Sequence, residues 1–110
     1  MIVRLWSARA NELESRAYVE HFQRSVLSEL RDVSGYVGST VLTRSRDGQT
    51  EILVATVWES LEAIQRFAGA DLERAVVDEE AAALLAEFDG RVRHFETAAT
   101  DIHKDKFGDN

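Results

Sequence analysis

Residues 1–9 alternate as a strand requires: Ile2, Arg4 and Trp6 fall on one face, and Val3, Leu5 and Ser7 on the other. Asn11 or Ser15 can then cap a helix running to about Arg31. Its stripe of Tyr18, Phe22, Val26 and Leu30 is joined by Val19 and Val33. Ser34-Gly35 offers a left-handed helix exit. Two strands are expected over residues 36–45 and 50–59, joined through Asp47-Gly48, a strong short hairpin signal. The second of them, Ile52 to Trp58, hardly alternates, which predicts a strand covered on both faces. Ser60 can cap a short helix over residues 61–68, ended by Gly69. Asp71 can cap a further start at Leu72, and a longer helix is expected to about Glu87, with Ala81, Leu84, Leu85 and Phe88 as its apolar face. Asp89-Gly90 breaks it, and residues 91–97 form the last strand.

The order β-α-β-β-α-β predicts an α+β, ferredoxin-like domain over residues 1–97, an antiparallel sheet with its helices on one face. Residues 98–110 make a polar tail, either frayed or laid on a partner. Because the strand at 52–58 is apolar toward both sides, something must cover the face away from the helices. A second copy of the same sheet is the expected cover, giving a homodimer; the alternative is a monomer with an unusually apolar open face.

Composition narrows the partners. The 110 residues are 45% apolar and 30% charged, ordinary for one globular core. A net charge of −7 argues against nucleic acid and anionic membranes as partners, since both are held chiefly by Lys and Arg. With no cysteine there is no disulfide, thiolate nucleophile or Cys-based metal site. No apolar run reaches spanning length, and the N-terminal one is short for a signal sequence, so a cytoplasmic protein is expected. The three His residues fit no metal-ligand spacing, and there is neither a Gly-rich phosphate loop nor a GxSxG elbow. Asp78-Glu79-Glu80 reads as the charged start of a helix.

Several segments form an ordered set: Arg4-Leu5-Trp6, Tyr18, Gly35-Tyr36-Val37-Gly38, Trp58-Glu59-Ser60-Leu61-Glu62-Ala63-Ile64, Phe67-Ala68-Gly69-Ala70-Asp71 and His94-Phe95-Glu96. Together they resemble the antibiotic biosynthesis monooxygenase (ABM) family over about residues 1–97. The resemblance implies two protomers pairing sheet to sheet as a dimeric α+β barrel, with a small cavity between sheet and helices in each. Some members of the family oxygenate aromatic or quinol-type substrates with O₂ and no cofactor, some degrade haem, and many have no established activity. Against the haem-degrading branch, this chain has Phe67 where a second Trp is expected, about Val77 at the iron-ligating His, and Ser7 near an Asn. Haem degradation is therefore not expected, and no cofactor or metal is implied.

A cofactor-free oxygenase must stack a ring, exclude water, help remove a proton and stabilise negative charge. Trp6, Tyr18, Phe22, Trp58 and Phe67 are the candidate walls around a small hydrophobic or aromatic molecule, and Phe88 falls with them; each is equally at home in a core. His94 is the candidate base, with Glu96 on its strand face to orient it, although a strand His also serves packing. Arg4 shares a face with Trp6 and is the candidate for holding a phenolate or carboxylate, or else pairs with Glu96 across strands. His21, beside Phe22, reads as a surface residue, and His103 lies in the tail. Two functions stay open: a cofactor-independent monooxygenase acting on a quinol- or anthrone-like molecule, and a non-catalytic dimeric module that binds a small ligand or is purely structural.

Overall fold

The computed structural model describes residues 1–103. Strand β1 (Ile2–Ala10) leads into a helical arm made of α1 (Glu12–His21), a π turn (Phe22–Val26) and α2 (Leu27–Arg31). Asn11 caps α1, its side chain accepting from the Glu14 N–H at 2.7 Å. Strands β2 (Tyr36–Arg46) and β3 (Gln49–Trp58) follow as a hairpin, then helix α3 (Leu61–Ala68), helix α4 (Glu79–Leu84) and the short strands β4 (Glu87–Phe88) and β5 (Arg93–Glu96). At the hairpin tip both Asp47 (φ 52°) and Gly48 (φ 80°) are left-handed, the geometry that Asp-Gly favours.

The sheet is antiparallel in the order β2-β3-β1, and the far edge of β1 is shared by two pieces. Strand β4 pairs with Ala8 and Arg9, whereas β5 pairs with Ile2 to Leu5. Taken together, β4 and β5 occupy the place of the fourth ferredoxin-like strand. In β3 every second residue (Thr50, Ile52, Val54, Thr56, Trp58) is buried beneath the helices. The intervening Leu53, Ala55 and Val57 are half-buried on the opposite face. By register, Val3, Leu5, Leu42 and Phe95 share that open face, and Leu42 and Phe95 are exposed. No helix among the described residues is long and apolar enough to cross a membrane.

The long second helix expected from Leu72 to Glu87 is corrected by the structure. Only Glu79–Leu84 is helical, and residues 70–78 take an irregular path. Their backbone groups find partners elsewhere: the Ala75 N–H donates to Gly90 O at 2.9 Å, and Glu73 O accepts from the Val92 N–H at 2.8 Å. Adjacent β-branched Val76 and Val77 add little helical preference to oppose this. Phe88 is likewise on a strand, not on the helix, because the Ala86 and Asp89 N–H groups donate to Arg9 O and Ser7 O and draw the segment onto β1.

Candidate active site

Between sheet and helices lies a cavity of about 90 Å³. Its walls are Trp6, Val54 and Thr56 from the sheet, Tyr18, Phe22 and Leu30 from the helical arm, Phe67 from α3, and Val76, Val77 and Asp78 from the irregular segment. The alternation of β1 sends Arg4 to the same side as Trp6, and Arg4 also lines the cavity.

Arg4 is the unusual group. It is only 4% exposed, and its three recorded bonds go to uncharged partners: Nη1 donates to Leu72 O at 2.6 Å and to His94 Nε2 at 3.0 Å, and Nη2 donates to Arg74 O at 2.7 Å. Its guanidinium carbon sits 5.7 Å from the centre of the Phe67 ring. Burial lowers its pKa to about 10, which leaves it charged at neutral pH. Two of its five N–H donors are free of these bonds.

His94 lies directly opposite Arg4 in the β1–β5 pairing. A guanidinium cannot accept a hydrogen bond, so Nε2 must be the acceptor and the proton of the neutral ring sits on Nδ1. Burial, and then the charge of Arg4, hold the imidazole below its ordinary pKa. The expectation that His94 faces the cavity as a base oriented by Glu96 is therefore corrected. Its lone pair is taken by Arg4, it does not line the cavity, and protonation would set two cations side by side. In the strand register Glu96 lies opposite Ile2 and not opposite Arg4.

Trp6 is half-buried, its indole N–H donating to Asp89 O at 2.8 Å and its ring 6.0 Å from that of Tyr18. Tyr18 and Phe22 meet at 6.5 Å. Burial, with the Asp78 charge, pushes the Tyr18 phenol well above its usual range, so it stays protonated at neutral pH. Trp58 does not line the cavity. It is 0% exposed, stacks on Phe67 at 5.4 Å, meets Tyr36 edge-on at 5.4 Å, and donates its N–H to Thr56 Oγ1 at 2.8 Å. It supports the wall from behind.

His21, expected at the surface, is corrected to a buried residue at 2% exposure. Its Nε2 lies 3.0 and 3.1 Å from the two oxygens of Asp78. Its Nδ1 is 3.1 Å from Glu80 Oε2 but off the hydrogen-bond direction, and makes no hydrogen bond. Sequence reasoning missed this pair and took Asp78 only as a helix cap, which it also is, accepting from the Ala81 N–H at 2.7 Å.

The sequence model of antibiotic biosynthesis monooxygenases matches residues 1–79. The chain belongs to this family. No curated protein matches it. Among solved structures of similar fold, a Bacillus cereus protein assigned to the antibiotic biosynthesis monooxygenases is 19% identical, with a TM-score of 0.64 over 94% of this chain and 98% of that one. The monooxygenase ActVA-Orf6 of Streptomyces coelicolor, in complex with nanaomycin D, is 24% identical, with a TM-score of 0.56 over 93% of this chain and 90% of that one. The haem degrader MhuD of Mycobacterium tuberculosis, with two haems bound, is 20% identical, with a TM-score of 0.57 over 94% of this chain and 100% of that one.

The donors around the cavity of this ABM protein do not fit haem iron. Among the described residues no His lines it, Val77 stands on its wall, and the Tyr18 phenol resists the deprotonation that iron ligation requires.

Proposed function

We propose that this ABM protein is a cofactor-independent monooxygenase for a small aromatic substrate of the anthrone or hydroquinone type. The observation that carries this reading is Arg4: a buried, charged guanidinium with no carboxylate partner among the described residues, set in an aromatic-walled cavity. Such a group favours an anion, here the enolate or phenolate oxygen of a deprotonated ring. Arg4 is the catalytic residue, and His94 positions it by accepting from Nη1. Trp6, Tyr18, Phe22 and Phe67 hold the ring and exclude water, and Trp58 braces Phe67.

The chemistry balances without an added reductant. An anthrone methylene, acidified by Arg4 at its oxygen, loses a proton to bulk solvent before the ring is enclosed, and the carbanion passes its electrons to O₂. One oxygen atom replaces both hydrogens as a new carbonyl, and the other leaves as water. Because the cavity is well below the few hundred Å³ of a typical ligand pocket, substrate entry requires its walls to give way. The same small volume is what favours the second reading, a non-catalytic dimeric module of this fold that is purely structural or binds only a small ligand. Under either reading the open sheet face carrying Leu53, Ala55 and Val57 pairs with a second copy.

The test is O₂ uptake with a panel of anthrones and hydroquinones. The monooxygenase reading expects one O₂ per substrate, and a rate lowered about 100- to 1000-fold in Arg4→Met. Binding without uptake across the panel selects the ligand-binding module.

A further inference from the structure

Asp78 enters the same cavity as Arg4, but from the helical side. Its carboxylate is held firmly for a group that is nearly half exposed. The Ala81 N–H takes Oδ1 at 2.7 Å, and the buried His21 ring spans both oxygens. Oδ2 therefore retains capacity for one more donor. Partial burial works to raise the Asp78 pKa, but the bonds from Ala81 and His21 win and hold it below the ordinary carboxylate range. An ionised carboxylate at this place favours a ligand hydroxyl and repels a second anion. Glu29 also lines the cavity, yet it is exposed and has no such cradle.

We propose that Asp78 is a substrate-contacting residue that accepts the hydrogen bond of a ring hydroxyl, and that buried His21 is the positioning residue that holds it there. Resting on the aromatic-substrate reading, this narrows the ligand to a class. Its ring carries an anionic or carbonyl oxygen for Arg4 and a separate hydroxyl donor for Asp78. A ring without that hydroxyl leaves the carboxylate unpaired on binding.

The experiment compares 6-hydroxy-2-naphthoate with 6-methoxy-2-naphthoate, followed by quenching of tryptophan fluorescence in the full chain. Wild type is expected to prefer the hydroxy probe by about 10- to 100-fold, the range of one charge-assisted hydrogen bond. Asp78→Asn keeps a good helix cap and is expected to lose that preference, with the methoxy probe bound at least as tightly as in wild type because no carboxylate is left unpaired against it. His21→Leu is expected to lose it too, and His21→Gln, which keeps a donor toward Asp78, to recover most of it. A preference that survives Asp78→Asn, or that disappears in Glu29→Gln instead, overturns the proposal alone. Equal loss of both probes in His21→Leu reduces His21 to a packing residue and overturns its positioning role. No binding of either probe to wild type overturns the aromatic-substrate reading as well.

Discussion

Gly35 sits where the helical arm turns into β2, with a left-handed φ of 95°. Its carbonyl accepts from the Glu59 N–H at 2.8 Å, which ties this turn to the end of β3. A Cβ added here would stand 2.5 Å from the Cβ of Ala63, a fully buried residue of α3. Carbon atoms prefer roughly 3.5–4.0 Å, so Gly35→Ala must push α3 away by about 1 Å. Two costs combine: about 1–2 kcal/mol for an alanine in left-handed backbone and about 1–3 kcal/mol for the overpacking. Their separation needs a second background. Ala63→Gly removes the clashing carbon, at about 1 kcal/mol of helix propensity, and leaves the backbone conformation of residue 35 alone. In urea unfolding, Gly35→Ala is expected to cost about 2–5 kcal/mol in the wild type and only the 1–2 kcal/mol backbone part in Ala63→Gly. An identical cost in both backgrounds would mean that the strand–helix corner at Gly35 and Ala63 is not packed this closely.

Arg4→Met removes the second cause of the lowered His94 pKa, so the imidazole should titrate higher than in wild type, though burial still holds it below the ordinary value; an unmoved NMR titration curve refutes the Arg4–His94 bond. In the wild type this neutral His contributes stability that is complete above its unfolded pKa, near 6.5, and lost as pH falls to the lower folded value. Thermal melts should accordingly drop over that window, and less steeply in Arg4→Met. Thr56→Val strips the buried Trp58 N–H of its acceptor and should cost about 1–3 kcal/mol in chemical denaturation, with Thr56→Ser close to wild type; equal stability of all three refutes the bond. Sedimentation should give wild type twice the 12.4 kDa chain mass and Leu53→Glu the chain mass itself; a monomeric wild type refutes the sheet-to-sheet pairing.

What could be read from sequence was what local chemistry decides. The Asp47-Gly48 hairpin, the Ser60 cap and the Gly69 stop act through residues a few positions apart and stand where expected, and of the two caps offered for the first helix Asn11 is the one used. The segment at 70–78 was illegible for the opposite reason. Its path is set by Arg4, Gly90 and Val92, which offer hydrogen bonds that a helix would forgo. The burial of His21 depends on Asp78, 57 residues further along the chain, and nothing near His21 announces that partner. Arg4 stands out chemically in the sequence, but of its two expected roles the pairing with Glu96 is not made, because a shift of two residues in strand pairing puts His94 opposite it.

The π turn at Phe22–Val26 bears on how this chain tolerates insertions and deletions. A stripe spaced strictly by four advances about 40° beyond each full α-helical turn, so Tyr18 and Leu30 would drift about 120° apart on a regular helix. The wider turn, closed by the Leu27 N–H on Phe22 O, absorbs part of that drift and keeps both residues on the cavity. The helical arm thus carries one residue more than regular winding needs, stored at a single place. Loss of the exposed Gln23 would relax the turn to ordinary α-helix with its flanks still in phase. The same loss between Tyr18 and the end of α1 would swing every residue before it by about 100° and carry Tyr18 off the cavity.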